Sequence, residues 1–148
     1  MEIDKTILVE TVKTRINEKI KNLEELIRQT QEANSETKSS MGDKYETSRE
    51  MVAQEIRNLQ RQLSEVQHQK DSLSRLSALP NKLPDLGALV QTSNGYFYIS
   101  TAVGLIDFQN IKIVTVSPEA PLVKAMHGVK IGEKFNVNGS TQTLISIQ

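Results

Sequence analysis

The sequence contains no cysteine and no tryptophan, and its only histidines are His68 and His127. Without cysteine the chain forms neither a disulfide nor a thiolate zinc site, and two histidines are too few for a histidine-rich metal centre. Aromatic residues make up 4% of the chain and hydrophobic residues 37%, which is little for one globular core but normal for a partly coiled-coil protein. The composition therefore favours a chain in which long helices bury a narrow apolar stripe.

An excess of one charge is absent as well, because 18 basic residues balance 18 acidic residues. Proteins that bind nucleic acids non-specifically usually carry a strong basic excess. The first residues, MEIDKTILVE, lack a basic segment followed by a long apolar run, and no window approaches the ~18 consecutive apolar residues of a membrane span. We therefore expect a cytoplasmic protein that has no membrane partner and is not a general nucleic-acid binder.

Proline is absent before position 80, and the only glycine before position 87 is Gly42. On either side of Gly42, residues of a mainly apolar stripe recur at alternating spacings of four and three, as in a coiled-coil seam. The stripe comprises Ile16, Ile20, Leu23, Ile27, Thr30 and Asn34, and then Val52, Ile56, Leu59, Leu63, Val66, Lys70 and Leu73. Two helices joined by a short break fold back most simply as an antiparallel hairpin. The pattern predicts such a coiled-coil hairpin over residues 1–78, with its tip near 36–46 and helices about 50 Å long.

The character of the chain changes after position 78. Two prolines and a glycine in LPNKLPDLG end the helical pattern, and residues 79–86 are predicted to be a short linker. Five β-rich runs follow, at 88–92, 96–100, 111–117, 134–138 and 143–147, with one helix within 117–128. Asn94-Gly95 predicts a type I′ hairpin turn and Asn138-Gly139 another tight turn. The predicted fold class is α+β, with a small antiparallel β domain carrying one helix over residues 87–148.

Residues 121–133, PLVKAMHGVKIGE, resemble the C-terminal signature of the Gre family of bacterial transcription elongation factors. Three positions depart from that signature: Ala120 replaces a capping serine, Val123 replaces glycine, and His127 replaces an apolar residue. Positions that match at the same spacing are Pro121, Leu122, Lys124, Ala125, Met126, Gly128, Lys130, Gly132 and Glu133.

The resemblance implies an antiparallel coiled-coil hairpin followed by an FKBP-like domain. In the family, the C-terminal domain docks on RNA polymerase, and the coiled coil enters the secondary channel of the polymerase. Acidic residues at the tip then help the polymerase itself to cleave backtracked RNA. The chain is therefore expected to be an accessory factor without enzyme activity of its own, whose contacts with DNA and the RNA 3′ end occur only inside the elongation complex. The docking signature would consist of Pro121, Leu122, Lys124, Ala125, Gly128, Lys130, Gly132 and Glu133.

The tip of the family resembles GDKYET at 42–47, with Thr47 in place of asparagine and a shorter following segment. Asp43 and Glu46 are the expected catalytic carboxylates. Mg²⁺ takes one or two carboxylates from a protein and keeps several waters, so the pair would share Mg²⁺ with the polymerase and bind no cofactor tightly alone. Contacts to RNA or polymerase at the tip are expected from Lys38, Lys44, Tyr45 and Arg49.

The same residues have a second interpretation, because Asp43 and Glu46 also fit a capping box at the start of the second helix. Two other functions remain open for the whole chain. One is a Gre homologue that occupies the channel without cleavage and modulates or inhibits the polymerase, which the altered tip favours. The other is a coiled-coil adaptor unrelated to transcription.

Overall fold

The structure is a computed structural model that describes residues 3–36 and 42–148, with side chains described for residues 3–33 and 48–148. The chain separates into two compact units, one formed by Met1–Arg15 with Ser72–Gln148 and the other by Ile16–Asp71. The helices are α1 (Lys5–Glu36), α2 (Gly42–Ser72) and α3 (Pro121–Met126), with a 3₁₀ turn at Leu73–Arg75. The strands are β1 (Leu89–Thr92), β2 (Gly95–Ile99), β3 (Leu105–Phe108), β4 (Ile111–Val116), β5 (Lys134–Val137) and β6 (Ser140–Ile147).

The Ile16–Asp71 unit consists of most of the two long helices. α1 has 32 residues and α2 has 31, so each is close to 50 Å long at about 1.5 Å per residue. Ile20, Ile27, Leu59 and Val66 are buried, as the repeat predicts, and side chains of both helices line one groove of about 340 Å³. The predicted repeat is therefore buried in part, because Lys70 is exposed and its remaining described members are buried or half-buried. The antiparallel pairing of the helices as a coiled coil stays a prediction.

The sheet of the other unit has six strands in the order β3-β4-β2-β1-β6-β5. Its neighbouring strands are antiparallel except β2 and β4, which run parallel with Phe97 opposite Val114. The predicted all-antiparallel β domain is therefore wrong, and the sheet is mixed. The cause is β3, which the sequence pattern missed: the chain leaves β2, forms β3 at the edge, and returns as β4 between β3 and β2.

One face of the sheet is covered by α3. Apolar side chains of the sheet and of α3 form a single core cluster there, in which Val123 and Met126 are almost completely buried. The short helix begins at Pro121, whose fixed φ suits a first helical position. The buried members of the cluster are Ala88, Val90, Ile99, Leu122, Val123, Met126, Phe135 and Leu144.

The opposite face of the sheet is also buried. Leu89, Tyr98 and Ile113 share this face by strand register, and each is 2% exposed or less. Leu8 and Val12, on the first turns of α1, are completely buried in the same unit. We infer that these turns cover the second face, so the apolar stripe of α1 begins well before Ile16 and one helix contributes to two cores.

Lys5, at the start of α1, is buried to 4% exposure. Its ammonium group donates to the main-chain oxygen of Leu79 at 2.8 Å, the side-chain oxygen of Asn81 at 3.0 Å and the main-chain oxygen of Gln148 at 2.9 Å. Burial lowers the pKa of Lys5, because removing the ammonium from water disfavours its charged form. The three acceptors offset that cost and connect the helix start to two distant segments.

Residues 79–86 are packed against the sheet unit. Besides the bonds from Lys5, the Asn81 amide donates to the Leu86 main-chain oxygen at 3.2 Å, and Pro84 is buried. The compact units divide between Arg15 and Ile16 and between Asp71 and Ser72, whereas the sequence places one boundary near position 78. No helix in the described ranges is both long enough and apolar enough to cross a membrane.

The two turns predicted from Asn-Gly pairs differ in outcome. Asn138 and Gly139 both have positive φ, at 51° and 81°, and connect β5 directly to β6. The hairpin between β1 and β2 also forms, but Thr92 pairs with Gly95, so the connecting residues are Ser93 and Asn94. The predicted I′ turn at Asn94-Gly95 is therefore wrong by one residue, because Gly95 belongs to β2.

We expect Lys5→Ala to lower the free energy of unfolding by about 3 kcal/mol, because it removes three hydrogen bonds to partly buried acceptors and a packed side chain. Urea denaturation followed by far-UV circular dichroism measures this change. The control is Lys13→Ala, which removes an exposed lysine from the same helix and should alter stability by less than about 0.5 kcal/mol. Equal effects of the two substitutions would contradict the role given to Lys5.

A second prediction concerns Tyr98, whose side chain is fully buried and whose hydroxyl has no hydrogen-bond partner among the described residues. Burial raises its pKa. Because an unpaired buried polar group is destabilising, Tyr98→Phe should raise the free energy of unfolding by about 1 kcal/mol. Tyr96→Phe, at a half-buried neighbour on the same strand, should change it little. A loss of stability in Tyr98→Phe alone would show that the hydroxyl is paired.

Candidate functional site

The predicted tip lies partly beyond the described residues. Lys38 lies outside them, and Asp43, Lys44, Tyr45 and Glu46 are described only as part of the backbone of α2. Arg49 follows on the same helix as an exposed side chain. The roles of these six residues in contacting metal, RNA or polymerase therefore stay predictions.

The backbone of α2 begins at Gly42, so Asp43 and Glu46 lie in its first turns. The side chains of both residues are outside the described part of the chain. The capping box and the pair of metal-holding carboxylates therefore both stay predictions.

A complete metal site does not occur in the described part of the chain. Among residues 3–33 and 48–148, whose side chains are described, no three His, Cys, Asp or Glu residues are grouped to hold a metal ion. A site built on Asp43 and Glu46 would contain two protein carboxylates and need further ligands from elsewhere.

The first half of the signature forms α3 and its contact with the sheet. Ala120 has extended backbone and offers no side-chain cap, yet its main-chain oxygen accepts from the Lys124 N–H at 3.1 Å. Leu122, Val123 and Met126 enter the core. Val123, which departs from the family pattern, fills space in the core and is 1% exposed. This half of the signature therefore has a packing explanation.

The second half of the signature builds two consecutive turns. Gly128 and Gly132 have φ of 79° and 92°, values that L side chains rarely adopt. The Lys130 N–H donates to a Glu133 carboxylate oxygen at 3.0 Å, and the Glu133 N–H donates back to the Lys130 main-chain oxygen at 2.9 Å. Gly132 then donates to the Leu144 main-chain oxygen at 2.7 Å, which attaches the turn to β6.

The signature also leaves several side chains in solvent. Lys124, His127 and Lys130 are exposed, and Ile131 is 61% exposed. Sequence reasoning missed Ile131, because an apolar residue inside a β-rich domain is normally expected in the core. These side chains are the part of the signature that can contact another molecule, while Leu122, Gly128 and Gly132 are explained by the fold.

The exposed Arg28 on α1 is not a free cation. Its guanidinium donates to the carboxylates of Glu25 and Glu32. Hydrogen bonding to Glu25 raises the pKa of Arg28, and the bond from Arg28 lowers the pKa of Glu25. One positive charge between two negative charges leaves a locally acidic surface on this part of α1, which is unsuited to binding a phosphate backbone.

Comparisons with known proteins give few matches. No protein-family model matches the chain, and no curated protein is significantly similar to it. Two solved structures are similar over most of both chains: one described as GreA factor homolog 1 (Gfh1) of Thermus thermophilus, and one as the transcription factor Gfh1. The first has 17% identity and a TM-score of 0.37, covering 92% of this chain and 94% of that chain. The second has 17% identity and a TM-score of 0.38, covering 91% and 92%. Likeness at this level establishes neither a shared fold nor a shared function.

We expect Gly128→Ala to lower the free energy of unfolding by about 1–2 kcal/mol, because a residue with Cβ is strained at positive φ. Beyond Gly128 and its two chain neighbours, no heavy atom of the described residues lies within 4 Å of an added Cβ, so the expected cost is backbone strain. Gly128→Asn should cost less, since asparagine tolerates this conformation. Urea denaturation of both variants measures the difference. An equal loss of unfolding free energy in the two variants would show that backbone strain is not the reason for glycine at this position.

Proposed function

We propose that the chain binds bacterial RNA polymerase and stimulates cleavage of backtracked RNA. In this proposal α1 and α2 form an antiparallel coiled-coil hairpin that enters the secondary channel, and the sheet domain, of FKBP-like fold, docks on the polymerase surface. The chain is an accessory factor and not an enzyme. It acts in the cytoplasm and meets DNA and the RNA 3′ end only within the elongation complex.

The observation that carries the proposal is the signature at 121–133, supported by the local structure it forms. Pro121, Gly128, Gly132 and Glu133 occupy positions where helix initiation, positive φ and a side-chain-to-backbone bond require those residue types. The local fold accounts for these four residues, so support for docking comes from the resemblance of the whole segment to the Gre signature and from the side chains it leaves exposed. The exposed Lys124, Lys130 and Ile131 are the proposed docking contacts.

The two long helices support the second part of the proposal. Ile20 and Ile27 are separated by one heptad, as are Leu59 and Val66, and all four are buried. Antiparallel pairing would put Ile20 against Val66 and Ile27 against Leu59, so that each buried residue meets another across the seam. The turn between the helices would then carry residues 37–41, next to Asp43 and Glu46.

The proposed chemistry requires only two carboxylates from this chain. In two-metal phosphoryl chemistry, the ions stabilise the attacking and leaving oxygens. Asp43 and Glu46 would help to hold a second Mg²⁺ that is otherwise bound by the polymerase. The free chain would bind Mg²⁺ negligibly, since one pair of carboxylates leaves most of the coordination sphere to water.

A non-cleaving modulator of the polymerase is the second candidate. Thr47 stands where the family tip has asparagine, and the segment after Glu46 is shorter than in the family. Either change could misplace the carboxylates relative to the polymerase metals, in which case the chain would occupy the channel and compete with substrate entry. Docking through the sheet domain is common to both candidates.

To test cleavage, the purified chain is added to a stalled, backtracked polymerase complex, and RNA length is followed with time. We expect shortening of the RNA, slowed about 10- to 100-fold by Asp43→Asn or Glu46→Gln, as for groups that support a metal site. Asp71→Asn, which alters an exposed carboxylate at the opposite end of α2, is the matched control and should leave cleavage unchanged.

Docking is tested separately by direct binding of the chain to polymerase. Lys124→Glu should weaken binding to the polymerase without changing the stability of the chain. Lys82→Glu, at an exposed lysine outside the signature, should change neither binding nor stability. If the chain binds the polymerase and competes with an authentic cleavage factor but the RNA is not shortened, the chain is the non-cleaving modulator and not the cleavage factor. No binding at all would overturn both and favour the adaptor.

A further inference from the structure

β3 (Leu105–Phe108) forms one edge of the six-stranded sheet, next to β4. The N–H and the hydroxyl of Thr115 both donate to the main-chain oxygen of Gly104, at 3.3 and 2.6 Å. Since Leu105 lies opposite Val114, Gly104 and Thr115 form a hydrogen-bonded pair of the same antiparallel register. Hydrogen-bonded and non-bonded pairs alternate along such a ladder, so the main-chain groups of Leu105 and Asp107 point away from β4.

Arg15 of α1 occupies this outer edge. Its Nη1 atom donates to the main-chain oxygen of Leu105 at 2.6 Å and to that of Val103 at 3.2 Å. Hydrogen bonds from a charged donor are shorter and stronger than neutral ones. The guanidinium therefore satisfies the outward acceptor that an added strand would use, and places a charged group in its path.

The edge beneath Arg15 is otherwise suited to another strand. Leu105 is 45% exposed and Val114, its cross-strand neighbour, is 39% exposed. The outward groups are also self-complementary: in antiparallel pairing centred on Ile106, Leu105 of one copy meets Asp107 of the other. Two such residue pairs would form, each with two main-chain hydrogen bonds, as in a two-fold symmetric contact.

We propose that the Arg15 guanidinium closes the β3 edge against pairing with a second copy of this chain. When the guanidinium is removed, β3 pairs edge to edge with the β3 of another copy. The inference rests on the sheet edge alone and is independent of any interaction with polymerase.

The test compares the full chain with its Arg15→Met and Arg15→Lys variants by sedimentation equilibrium over a wide range of concentration. Methionine keeps length and packing but removes the donors, whereas lysine keeps a charged donor. We expect the wild type and Arg15→Lys to be monomeric, and Arg15→Met to dimerise with a dissociation constant at least about tenfold lower. Far-UV circular dichroism checks that each variant is folded.

The matched control is the double variant Arg15→Met with Asp107→Pro. The Asp107 N–H points away from β4, so proline removes one edge donor and no main-chain bond within the sheet, as edge strands tolerate. It also removes the exposed ion pair between Asp107 and Lys112 of β4, which contributes little to stability. Return of the double variant to a monomer would support pairing through β3. If Arg15→Met is too unstable to measure, Arg15→Gln applies the same test, since its shorter amide cannot reach both carbonyls. Three outcomes would each overturn the proposal. The first is a folded Arg15→Met or Arg15→Gln variant that stays monomeric, and the second is a wild type that dimerises equally. The third is a dimer that persists with Asp107→Pro.

Discussion

The buried ammonium group of Lys5 joins three segments that are far apart in sequence. Its acceptors lie 74 residues away at Leu79, 76 at Asn81 and 143 at Gln148. A lysine is rarely buried to this extent, because desolvation of its charge must be offset by well-placed acceptors. The first turns of α1 therefore belong with the sheet, and residues 79–86, which look like a linker in sequence, are attached to it. Leu8 and Val12, which are completely buried, belong to the same compact unit.

The signature at 121–133 contains residues that the local fold requires and residues that it leaves free to contact a partner. Most of its matching positions have local structural reasons: a helix start at Pro121, left-handed turns at Gly128 and Gly132, and a carboxylate at Glu133 that accepts from a main-chain N–H. Such residues indicate a similar backbone in this segment and carry no information about a partner. The exposed side chains of Lys124, His127, Lys130 and Ile131 are not required by the fold, and any docking function of the segment therefore rests on them.

Local patterns in the sequence predicted local structure well. The burial of Ile20, Ile27, Leu59 and Val66 follows from helical spacing, and the Asn138-Gly139 turn follows from the tolerance of both residues for positive φ. Non-local features were missed. LIDF at 105–108 is too short and too exposed to be recognised as a strand, so the parallel pairing of β2 with β4 was missed too. Nothing near Lys5, Arg15 or Tyr98 in sequence reveals that they are buried or bonded, because their neighbours come from distant segments. The side chains of Asp43 and Glu46 lie outside the description, so the tip was predicted but not tested.

The division of the chain has a consequence for how it folds. One unit is assembled from two segments of sequence, and the other, Ile16–Asp71, is a single segment inserted between them. Closing the sheet unit requires contacts such as the bond from Gln148 to Ile3, which spans 145 residues, and the entropy of closing so long a loop slows folding. The inserted helices need only contacts within their own segment. We therefore expect the inserted helices to form before the sheet unit closes, and their formation to shorten the effective loop between its two segments.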